Sequence, residues 1–94
     1  MRPYPPGLRV SAAITGPTPT WRVVHTPTGA PASIILEVRH RHDAMDVVRH
    51  LAQSGVDWTQ PHTRETHPVM RAAIIAATAG GTVYTATFAP QERN

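Results

Sequence analysis

A chain of 94 residues, 40% hydrophobic and 5% aromatic, has room for one domain and one modest core. It contains no cysteine, which excludes disulfides, thiolate zinc sites and a thiol nucleophile and favours a reducing, cytoplasmic setting. The formal charge of +3 permits nucleic-acid binding without demanding it, and all nine basic residues are arginine, a bias expected of a high-GC genome.

Met1 to Gly7, with three prolines, reads as a flexible arm ahead of a single domain over residues 8–89. Leu8 to Thr15 alternates with period two, which predicts a half-buried strand with Leu8, Val10, Ala12 and Ile14 on one face. Gly16-Pro17-Thr18-Pro19 stops it, because proline cannot donate to a ladder. Trp21 to Thr26 is aromatic and β-branched and predicts a second strand, with Trp21, Val23 and His25 sharing a face. The turn residues Pro27 to Pro31 lead to a third strand over Ser33 to His40, with Ile34, Leu36 and Val38 inward and Ile35, Glu37 and Arg39 outward.

A helix follows from about Asp43 to Ser54. Asp43 is placed to cap it, Ala44, Val47, Val48 and Leu51 form one apolar stripe, and Gly55 suits a left-handed stop with Val56 folding back on Leu51. Val56 to Thr59 reads as extended and Gln60 to Glu65 as a polar loop.

Pro68 to Ala79 admits two readings, a second helix or a strand turning at Gly80-Gly81. Five alanines among residues 72–79, proline in the first turn and glycine past the end favour the helix. Thr82 to Phe88 reads as a final strand and residues 90–94 as a frayed tail. The expected fold is α+β: an antiparallel sheet of three to four strands with two helices on one face, in the order β-β-β-α-α-β. Trp21, Trp58, Tyr84 and Phe88 are the expected packing centres.

The densest basic cluster is Arg39-His40-Arg41-His42, at the junction of the third strand and the first helix. Charge beside helix-terminal amides suits phosphate. The strand assignment places Arg9, Arg22 and Arg39 on the outer side of one sheet, as in β-ribbon readers of DNA. Arg9, Arg22, Arg39, Arg41 and His42 are therefore the candidate nucleic-acid contacts, against the plainer reading of a solvated surface paired with Glu37, Asp43 and Asp46.

Six histidines raise the question of metal, but Asp43 directly follows His42, which breaks the His-x-His-x-Asp-His spacing of metallo-hydrolases, so neither metal nor cofactor is expected. Asp46 and His50 suit the two ends of a helix dipole. His62 and His67 flank a polar loop in which an acid–base pair is conceivable, although a surface loop is the simpler reading. With no phosphate loop or nucleophile elbow, the chain reads as a non-catalytic binding module.

The segment Val69 to Ala77 is apolar nearly all round, and a helix of that kind is usually buried. Trp58, Met70, Ile74 and Ile75 are thus candidates for a homodimer interface, and an oligomeric protein-interaction module is the alternative function. The longest apolar run, Ala72 to Ala77, falls short of the ~20 residues that span a bilayer, so no membrane partner is expected.

The strings Trp21 to Gly29, Asp43 to Leu51 and Asp57-Trp58-Thr59-Gln60-Pro61 resemble small uncharacterised proteins of actinobacteria and of their phages and plasmids. That resemblance implies no reaction and no site residue. The sheet-then-helix order is similar, in topology, to the arm-binding domains of tyrosine integrases, which place a three-stranded sheet in a DNA groove.

Overall fold

The computed structural model describes residues 4–14 and 16–78. Five elements follow in order: β1 (Leu8–Ala13), β2 (Thr20–His25), β3 (Ser33–Val38), α1 (Arg41–Ala52) and α2 (His67–Thr78). The strands form one antiparallel sheet in the order β1-β2-β3, and the helices follow the strands, so the fold is α+β. The expected strand at 82–88, with Tyr84 and Phe88, lies outside the described residues.

One face of the sheet carries the core. Leu8, Val23, Leu36 and Val38 meet Ala44, Val47, Val48 and Leu51 from α1, so the apolar stripe of the helix lands across the strands. Met70 is the buried residue of α2 and closes the same cluster, while Ala73, Ile74 and Ala77 pack at its margin.

The strict alternation expected of β3 fails at one point. Val23 pairs with Leu36 but Val24 pairs with Ile34, which leaves Ile35 as the extra residue of a bulge. Ile35 therefore turns inward and is buried beside Leu36, where simple period two put it outside, and Ile34 is only partly buried. In β1 the expected inward set is also cut short: Ala12 is exposed, and Ile14, beyond the last ladder residue, is 80% exposed.

β3 ends at Val38, so Arg39 and His40 form a bend rather than the end of a strand. α1 starts two residues earlier than expected. His40 is its N-cap, in extended conformation and without a side-chain cap bond, and Asp43 sits in the first turn instead of capping. There it still complements the positive end of the helix dipole. Gly55 has φ +83°, as the left-handed stop required, and Val56 packs at the edge of the core.

The link between the helices is built rather than loose. Asp57 accepts from the Thr59 amide at 3.0 Å and the Gln60 amide closes onto the Asp57 carbonyl at 3.2 Å, a turn where an extended piece was expected. Trp58 is 2% exposed at the centre of that turn. Its indole N–H donates to the Leu51 carbonyl at 2.9 Å, and its own carbonyl accepts from His25 Nε2 at 2.8 Å.

Next, Thr63 and Thr66 exchange bonds, side-chain oxygen to backbone N–H, at 2.8 and 3.3 Å. This is the reciprocal arrangement of a capping box, and it sets the entry to α2. Tyr4 to Gly7, expected within a flexible arm, lie against the domain: Tyr4 packs on the core and the Gly7 carbonyl accepts from the Thr26 amide at 2.7 Å.

Candidate nucleic-acid interface

The end of β3 and the start of α1 run past the beginning of β2, and an open groove of about 730 Å³ lies between them. It is lined by Thr18, Pro19, Trp21, Arg39, His40, Arg41, His42 and Met45, a set with two arginines and no carboxylate. Trp21 is half-buried: Val38, its cross-strand partner, belongs to the core, and Trp21 packs at the core's margin. The Arg41 guanidinium stands over its indole, 6.0 Å from the ring centroid, a cation–π distance.

His40 and His42 flank Arg41 and stack, with ring centroids 5.4 Å apart and planes within 10° of parallel. Both are exposed, and His42 Nε2 also lies 3.4 Å from the Asp43 carboxylate. Of the five residues singled out from the sequence, the groove thus gathers Arg39, Arg41 and His42, and adds His40 and Trp21.

Arg9 and Arg22 lie elsewhere, on the opposite face of the sheet. Arg9 is exposed. Arg22 is held by its cross-strand partner Glu37, with Nε 3.1 Å from a carboxylate oxygen, and Thr20 donates a hydrogen bond to the same carboxylate. The hydroxyl of Thr20 and then Arg22 hold the Glu37 carboxyl below its ordinary range, so it stays ionised at neutral pH. Arg49 likewise pairs with Asp46 at 3.1 Å. Part of the charged surface therefore follows the paired, solvated reading.

The remaining histidines divide by environment. His50 Nδ1 contacts the Asp46 backbone carbonyl at 2.8 Å rather than its carboxylate. His62 is buried, and its Nε2 lies 2.8 Å from His67 Nδ1, so one of the two nitrogens donates and the other accepts. The two rings are partly stacked, with centroids 5.0 Å apart. That mutual bond uses the facing nitrogens of the acid–base candidates on each other. His25 is fully buried, its ring edge-on to Trp58, and its Nδ1 has no hydrogen-bond partner. Burial lowers its pKa from the ordinary 6.5. Among the described residues, no three His, Asp or Glu side chains come together as a metal site.

The four interface candidates separate as well. Trp58 and Met70 lie in the chain's own core, and Ile74 packs at its edge. Ile75 is 51% exposed, and Val69, one turn and a half earlier, is 58% exposed. Among the described residues no helix is long and apolar enough to cross a membrane.

The chain matches no protein-family model, no curated protein and no solved structure. The groove and its neighbours are accordingly read on their own chemistry. What residue patterns could not reveal was the meeting of Trp21 with Arg41, because that contact joins the start of β2 to the start of α1. The signal was present only as an aromatic residue at one end of a strand and a cluster at the end of the next.

Proposed function

We propose that the chain is a non-catalytic nucleic-acid-binding module, cytoplasmic, from a high-GC bacterium or one of its mobile elements. The carrying observation is the groove that sets Arg39 and Arg41 beside Trp21 and the His40–His42 stack with no carboxylate in its lining. Arginine supplies phosphate contacts through its planar fork, and the rings supply apolar faces for bases or sugars. The arginine-only composition supports the source, and the absence of cysteine supports the compartment.

Fluorescence anisotropy with labelled oligonucleotides tests the reading. Binding is expected at ~50 mM salt, weakening steeply as salt rises, and Arg41→Ala should reduce the slope of log affinity against log salt by about one contact. Arg22→Ala should do less, because Glu37 already neutralises Arg22. Failure of every oligonucleotide to bind at low salt removes the reading.

A homo-oligomeric interaction module is the second reading, favoured by the exposure of Val69 and Ile75 on α2. Sedimentation equilibrium separates it: a concentration-dependent dimer lost in Val69→Asp supports it, and a monomer at every concentration removes it.

A further inference from the structure

We propose that this groove selects single-stranded over duplex nucleic acid, holding unpaired bases against the exposed His40–His42 stack beside Trp21. The inference rests on the nucleic-acid reading and goes beyond it in naming the substrate class.

Duplexes are read by convex elements, a helix or a ribbon of strands entering a groove. Among the described residues, the outer face of the sheet and the outward side of α1 suit that task poorly. The outer face of the sheet carries the ionised Glu37 between Thr20 and Arg22, so seating it against a duplex would drive a carboxylate toward phosphate. The outward side of α1 brings Asp43 and Asp46, whose side chains are 44% and 51% exposed, into any groove the helix enters. The groove, by contrast, is concave and has no carboxylate among its lining residues.

A recess of this kind cannot follow a stiff double helix, but it can receive a flexible strand whose bases turn inward. Its aromatic faces are already set. The two imidazoles are parallel within 10° and exposed, so an outer face of the pair can take a base, and the half-buried Trp21 is fixed by its strand. Arg39 and Arg41 stand in the same wall, where they can follow the backbone of a strand threaded past those rings. Aromatic platforms interleaved with cations are how sequence-tolerant single-strand grooves work, because every base has a π face.

The test uses the full chain with two fluorescein-labelled probes, a thymidine single strand of about 12 nucleotides and a duplex hairpin of similar charge, titrated side by side at ~100 mM salt. The expected result is at least ~10-fold tighter binding of the single strand, with quenching of tryptophan emission that disappears in Trp21→Phe, since the other tryptophan, Trp58, is buried. His40→Ala with His42→Ala should weaken the strand about 5- to 150-fold, the range for losing one stacked base, and weaken the duplex by a clearly smaller factor. Both histidines are exposed, so circular dichroism should show an intact fold. Duplex binding equal to or tighter than strand binding overturns the selectivity while leaving nucleic-acid binding standing. Equal losses for both probes on removing the histidines overturn the stacking role. Binding of neither probe, even at ~50 mM salt, overturns this inference and the proposed function together.

Discussion

Two residues bear most directly on stability. His25 is buried with its Nε2–H donated to Trp58 and its other ring nitrogen without a partner, an environment that resists a second proton. Burial lowers its pKa in the folded chain, whereas the unfolded chain takes the proton near the ordinary 6.5. The unfolded state therefore binds more protons as acid is added. Stability is full above that value, declines as pH drops below it, and the loss is complete once pH is below the folded-state value. Urea midpoints measured from about pH 7.5 down to about pH 5 should fall, and His25→Phe should flatten the slope. An unchanged slope in that variant would assign the acid sensitivity to other groups. Gly7 is the second residue. It has φ +90°, and a Cβ there would overlap the Trp58 carbonyl. Gly7→Ala should cost about 2–5 kcal/mol from left-handed strain and overpacking, checked by denaturant unfolding.

Among the elements, α2 shows how a local device decides an ambiguous segment. Its alanine-rich sequence could be argued either way, but Thr63 and Thr66 close a box that starts a helix and cannot start a strand. Thr63→Ala and Thr66→Ala should each cost ~1 kcal/mol, and the double variant should cost less than the sum, because one reciprocal arrangement is lost. Strict additivity in a double-mutant cycle would deny the coupling. The helices were legible because an apolar stripe and a strong helix-forming composition act within a few residues. The bulge in β3 was not. Ile34-Ile35-Leu36 is uniformly apolar, so nothing in its order marks the residue that loses its partner; pairing with Val23 and Val24 decides it. The cap of α1 was missed for a related reason: Asp43 is a good capping residue, but β3 stops at Val38, and the chain enters the helix directly from the bend that follows.

For the molecule as a whole, β1, β2 and β3 share one core with both helices, so unfolding should be a single event. Far-UV circular dichroism and tryptophan emission should give coincident melting curves, and an earlier optical transition would show the helices separating from the sheet. Leu51→Ala should shift both curves together, at a cost of about 2–5 kcal/mol, because Leu51 is completely buried. The same cooperativity explains how much of the site could be read from the residues. Arg39, Arg41 and His42 were visible as a run. Trp21 joined them only because the register Trp21 with Val38 brings the first residues of β2 beside the last of β3. Arg9 and Arg22 left the set for the same reason, since the pairing that builds the sheet sends them to its other side.

The Trp58 turn ties β2 through His25, α1 through the Leu51 carbonyl, the residues before β1 through Gly7, and the β2–β3 connection through Thr28, whose amide donates to Thr59 at 2.9 Å. Four places far apart in the chain thus share a knot only a few residues long. A protease cutting between Trp58 and Thr59 would sever no strand and no helix, yet it would untie all four together. Limited digestion should find that bond resistant in the folded chain, and a chain cut there should lose stability against denaturant.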